Sequence, residues 1–235
     1  MTPLPQPLAP RLSPPAGAGG AHAAICVHGV RVNPGDEEGW QDRGVTWLHL
    51  HTAMHAEKYE YATWALTRQI HQDERAAGVA KMASYYLDAG WELTFIAHSN
   101  GCDITARVLT ALQAAGRRVR SAHLFAAAAD AAPFIAAVRA GTLAHCFVYG
   151  SPNDRALKLA RLSRRALGWM GWGYGSMGLD PYAVEIEEPR IEALVREDFG
   201  HGTWFERGEF FEAAMRLIRS RENAITWQRQ GVPAE

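Results

Sequence analysis

Cysteine is scarce in this chain of 235 residues: Cys26, Cys102 and Cys146 form an odd set without paired spacing. That excludes a disulfide framework and suits buried free thiols in a reducing compartment. A surplus of either charge is also missing, because 24 Lys and Arg meet 25 Asp and Glu for a formal net charge of -1. No global field draws such a protein to nucleic acid or anchors it stably on a membrane surface. Nowhere does an apolar run approach the roughly 20 residues that span a bilayer, and no basic start with an uninterrupted apolar stretch marks a secretory signal. The expected location is the cytoplasm. No internal repeat is visible.

What is present is ample apolar material, 48% of residues, enough for one full core. The opening MTPLPQPLAPRLSPPAGAGG is dense in Pro and Gly, which predicts a disordered leader over 1–20 and a single domain over 21–235. From Ala21, AHAAICVHGV reads as a buried strand delivered to a tight loop, followed by the turn-rich RVNPGDEEGWQDRG. Lys58–Leu66 is expected to be a second strand and Gln69–Leu87 a crossover helix stopped by Gly90. WELTFIA then reads as a strand, SNGCDITARVLTALQAAG as a helix closed by Gly116, VRSAHLFAAAA as a strand, AAPFIAAVRAG as a short helix and LAHCFVYG as a strand. LKLARLSRRAL predicts a helix, Ile191–Val195 a last strand and Glu209–Arg219 a closing helix. Strands alternating with helices imply a mostly parallel sheet covered on both faces.

The stretch LTFIAHSNG, Leu93 to Gly101, puts a serine on the corner between a buried strand and the next helix. A serine there is forced into a sparsely populated backbone conformation, and the residues two away on either side must be small for strand and helix to approach. Here they are Ala97 and Gly101. The pattern is that of a nucleophile elbow with Ala in place of its first Gly. An ordinary helix-capping serine is the competing reading of Ser99. The Asn100 amide, at the helix start, is expected to meet an oxyanion, and the Val30 amide in the HGV loop after the first strand is the second candidate donor.

A serine hydroxyl needs a base, and the base needs a group that fixes its tautomer. Asp154 follows the strand LAHCFVYG in SPND, and His201 follows the last strand in DFGHGTWF. Asp130, one strand earlier, is the alternative acid. The interval from Ser99 to Asp154 leaves no room for a separate lid.

HGV, AHSNG, SPND and GHGTWF, in this order and at the ends of alternating strands, resemble the α/β-hydrolase superfamily over roughly residues 21 to 221. The AHSxG elbow is similar to that of lipases and esterases. The resemblance implies an α/β single-domain hydrolase fold with minimal or no lid, and a small-molecule ester or related acyl substrate. It implies catalysis by Ser99, Asp154 and His201 through an acyl-enzyme, with no cofactor. An acyltransferase, or a non-catalytic binding protein on the same fold, are the alternatives.

His98 and His28 are expected to pack or to line the pocket rather than to transfer protons. His49, His51 and His55 lack acidic or Cys companions, so no metal site is expected, and a polar face near the active-site mouth is preferred. Arg161–Arg165 (RLSRR) reads as a solvated helix face. Trp169, Met170, Trp172, Tyr174 and Met177, interleaved with glycines, read either as a cap over the substrate pocket or as a core-packing plug or oligomer contact.

Overall fold

The computed structural model describes residues 21–29, 39–61, 71–167, 175–206 and 208–230. The predicted leader, Val30, Trp169, Met170, Trp172 and Tyr174 lie outside these residues. Six strands, β1 His22–Val27, β2 His55–Tyr59, β3 Glu92–His98, β4 Val119–Phe125, β5 Leu143–Gly150 and β6 Ile191–Val195, form one sheet in the order β2-β1-β3-β4-β5-β6. Every pairing is parallel. Strands buried on both faces need continuous apolar sequence rather than alternation. β3 meets this with Leu93, Phe95, Ile96 and Ala97, all with no exposed area.

Among the described residues seven helices cover the sheet: α1 Trp40–His51, α2 Gln72–Asp88, α3 Asn100–Ala114, α4 Ala132–Arg139, α5 Arg155–Leu167, α6 Pro181–Glu187 and α7 Glu209–Gln230. Ala23, Ile25 and Val27 of β1 face a core shared with α2, α3 and α4, while Ala24 and Cys26 face Trp47 and Leu48 of α1 and Met215 and Ile218 of α7. This division follows the direction of travel. From β1 the chain steps outward to β2, then returns past β1 to β3, and right-handed crossovers in opposite directions place their helices on opposite faces. The strand order reverses between β1 and β3, where open α/β sheets bind ligands beyond the strands' carboxyl ends.

Several expected elements differ. The second strand is His55–Tyr59, which shares only Lys58 and Tyr59 with the expected Lys58–Leu66, whose positions 62–66 lie outside the described residues; among the described residues β2 pairs only with β1, so its sequence carries a weak pattern. Part of the turn-rich stretch forms α1, and the closing helix runs on to Gln230. His49 and His51 sit at the end of α1 and His55 at the start of β2, hence at the amino end of the strands, opposite Ser99. They do not lie near an active-site mouth, because α1 runs back along the sheet after β1. His49 Nε2 accepts from the Ala56 N–H at 3.0 Å, and His51 stacks on Trp47 at 4.4 Å. Among the described residues no group of three metal-ligating side chains occurs, and no helix is long and apolar enough to cross a membrane. All three cysteines are free and buried, and burial pushes the Cys26 thiol up to about 12.

At that same amino end, Glu222 latches α7 to the sheet. Its carboxylate accepts from Arg120 Nε at 2.8 Å, Ser121 Oγ at 2.5 Å and His123 Nε2 at 2.9 Å, all within the buried interior. Arg120 also pairs with Glu92. Burial alone would raise the Glu222 carboxyl, but His123, His22 and Ser121 hold it at about 2.

Candidate active site

Ser99 occupies the junction of β3 and α3 with φ 55° and ψ -120°. Such a conformation costs a non-glycine residue on the order of 1–3 kcal/mol and persists only when its surroundings impose it. Three backbone bonds do so: Ser99 N–H donates to Phe125 O at 2.9 Å, while Ser99 O accepts from Cys102 N–H at 3.1 Å and Ala128 N–H at 3.2 Å. The small neighbours are sterically required. A Cβ on Gly101 would lie 2.2 Å from Val27 O and 2.7 Å from His28 O. One on Gly29 would lie 2.7 Å from Ser99 Cβ and 3.1 Å from its Oγ. Ala97 is fully buried between Val27 of β1 and Leu124 of β4.

Although Ser99 stands at the capping position of α3, its side chain makes no capping bond. Its hydroxyl instead donates to His201 Nε2 at 2.7 Å, and His201 Nδ1–H donates to Asp154 Oδ2 at 2.7 Å. Asp154 is 1% exposed, and its other oxygen accepts from the Leu157 N–H at 2.9 Å. One carboxylate thus starts α5 and fixes the imidazole tautomer together. Asp130 is exposed in the loop after β4. The acid and histidine loops are also joined by Asn153, whose Nδ2–H donates to Glu197 O at 2.9 Å.

Asn100 is the first residue of α3, where a backbone N–H has no intrahelical acceptor and the helix dipole favours negative charge. Its side chain is fully buried and accepts from Gln72 Nε2 at 2.8 Å, tying α3 to α2. His28 stacks on Tyr61 at 3.9 Å and donates from Nε2 to Tyr61 O at 3.0 Å, while the Tyr61 hydroxyl donates to His28 O. It braces the end of β1. Met177 is buried: its N–H donates to Ala129 O at 3.1 Å, and Gly175 and Gly178 pack directly on the backbone after β4. For Met177 the packing reading holds.

Three contacts escaped sequence reasoning. His98 Nε2–H donates to the backbone carbonyl of His201 at 2.9 Å. Burial, with His201 nearby, lowers the His98 imidazole to about 3, so it is neutral at physiological pH. Trp40 stacks on Phe205 at 4.1 Å, and Arg43 Nη2 donates to Phe205 O at 2.8 Å, so α1 supports the turn after His201. No local signal joins these residues, which are more than a hundred positions apart.

No family model matches the sequence, and no curated protein matches it. Among solved structures, the chain is similar to a Xanthomonas campestris pv. campestris protein assigned to the alpha/beta hydrolase superfamily, at 14% identity and a TM-score of 0.55. That alignment covers 85% of this chain and 99% of the other. It is also similar to an esterase of Pyrobaculum calidifontis, at 14% identity and a TM-score of 0.56 over 90% and 79% of the two chains. An esterase/lipase from an uncultured bacterium gives 13% identity and a TM-score of 0.55 over 89% and 78%. With six parallel strands in this order and a strained Ser99 beside the point where that order reverses, the chain has the α/β-hydrolase fold.

Proposed function

We propose that this protein is a serine hydrolase that cleaves a carboxylic ester or related acyl bond of a small molecule. The observation that carries the reading is the continuous chain from Ser99 Oγ through His201 to buried Asp154, at 2.7 Å in each step. In this reading His201 takes the Ser99 proton as the hydroxyl attacks the acyl carbonyl. Asp154 holds the tautomer that leaves Nε2 free to accept and stabilises the imidazolium that forms. The oxyanion is met by the Asn100 amide and, as second donor, the Val30 amide. A missing donor of this kind costs about 2.7–4 kcal/mol of transition-state stabilisation. His201 then returns its proton to the leaving alcohol, and water, activated by the same base, releases the acid from Ser99.

The buried Asp154, the elbow backbone and the esterases among the fold's relatives support this assignment together. A fluorophosphonate probe and a panel of short and medium p-nitrophenyl esters test it. Folded protein should label at a single site and turn over esters, and Ser99→Ala should abolish both. Labelling that survives in Ser99→Ala, or inertness of wild type to both probe and esters, would falsify it.

A further inference from the structure

His98 transfers no proton in the mechanism above, and its exposed edge is small, yet it makes the contact that anchors the His201 main chain. We propose that His98 is a positioning residue, whose Nε2–H bond to the His201 carbonyl ties the histidine loop to the nucleophile elbow and holds the imidazole over Ser99. This rests on the serine-hydrolase reading of Ser99.

The argument is geometric. Ser99 binds the His201 side chain at 2.7 Å, and its covalent neighbour His98 binds the His201 main chain at 2.9 Å. Two attachments from consecutive residues to one residue fix both its distance and its swivel, which one hydrogen bond cannot. Asp154 adds the third point. The His98 ring is itself locked, with its centre 5.2 Å from that of His201, 5.5 Å from that of Phe205 edge-on, and 6.4 Å from that of Trp40. Because β3 is an interior strand flanked by β1 and β4, the anchor point is held independently of the loop it anchors.

Chemistry supports the same role. A ring that donates from Nε2 to a carbonyl keeps its lone pair on Nδ1, and the Ser99 hydroxyl bonds to His201 Nε2 rather than to His98. The titratable groups facing His98 are His201, Asp154 and His28. A second cation there would oppose the imidazolium that forms on His201 during attack. A neutral donor holds the loop without that opposition, so the bond persists through the catalytic cycle.

The test compares His98→Gln with His98→Met, which share chain length and shape and differ in the donor. Wild-type labelling by a fluorophosphonate, abolished in Ser99→Ala, is established first; its absence would sink the serine-hydrolase reading and not the positioning role. Then kcat and KM for a p-nitrophenyl ester, the labelling rate and the thermal midpoint are measured for each variant. Misplacing a catalytic group by about 1 Å costs up to roughly 100-fold. The expected result is that His98→Met loses about 10- to 100-fold in kcat and in labelling rate with KM within about twofold, while His98→Gln recovers most of that loss. Equal rates in the two variants, whether both wild-type or both low, overturn the proposal, as does a loss confined to KM. Nitrogen NMR of the wild-type histidines gives an independent check if His98→Met does not fold. His98 should show the Nε2–H tautomer and no titration between about pH 5 and 8, and a ring that titrates there refutes the role.

Discussion

Gly101→Ala adds a single methyl, and its effect can be worked from two backbone atoms. The new Cβ would sit 2.2 Å from Val27 O and 2.7 Å from His28 O, both main-chain atoms with no rotamer to yield. Ordinary contact begins at 3.4 Å, so the first turn of α3 and the end of β1 must part by about 1.2 Å. Overpacking of this kind costs about 1–3 kcal/mol, which leaves the fold intact. The elbow is moved by the same amount, however, and with it both Ser99 Oγ and the Asn100 amide. A displacement near 1 Å costs up to roughly 100-fold in rate. Gly101→Ala should therefore lower kcat/KM for p-nitrophenyl esters about 100-fold while its thermal midpoint falls by several degrees. Gly44→Ala is the control, since its Cβ would meet only Trp40 at 3.7 Å within α1. Alanine in a helix interior gains roughly 0.5–1 kcal/mol over glycine, so that variant should be active and slightly more stable. A Gly101→Ala protein with wild-type rate would refute the claim that close strand–helix contact sets the geometry of Ser99.

Asp154→Asn should remove roughly 10⁴-fold of kcat, because an amide no longer enforces the right imidazole tautomer. It should leave stability nearly unchanged, since asparagine also accepts at the start of α5. Asp130→Asn should stay near wild type, and reversed results in ester hydrolysis would move the acid role to Asp130. Glu222 sets the response to acid. Its folded value of about 2 lies below the ordinary 4.5, so its contribution is complete above about pH 4.5 and is lost as the pH falls toward 2. That gap amounts to on the order of 3 kcal/mol. Urea midpoints of wild type should fall across this window, and those of Glu222→Gln should start lower and change less. If the two pH curves run parallel, Glu222 does not hold α7 in the way its contacts indicate.

The central strands, the tight corner at Ser99 and the strand-end positions of Ser99, Asp154 and His201 were legible because each has a local cause: continuous apolar runs, small residues at fixed offsets, and turn clusters at strand ends. α1 was not, because Gly44 interrupts it and its start, just after Gly39, lies in a stretch of turn-forming residues. α6 did carry a signal. Asp180 accepts from the Ala183 N–H and Pro181 occupies the first turn, the pairing that commonly opens a helix. β2 was displaced because an edge strand is held by one neighbour and needs little alternation. The His98 contact had no local signature at all, since its partner is 103 positions away.

The parallel sheet also dictates when a working site can exist during synthesis. Ser99 and His201 are 102 residues apart, with three further strands between them. At translation speeds of 5–20 residues per second, roughly 5 to 20 s separate the emergence of the two. The Ser99 corner gains its backbone partners only once Phe125 and Ala128 have emerged, and its hydroxyl has no partner until His201 follows. Until β6 is made, β5 also presents a bare apolar edge, the kind that templates pairing between chains. Ester turnover on the ribosome would thus mark the completion of the sheet, and chains stalled before residue 191 would be the aggregation-prone ones.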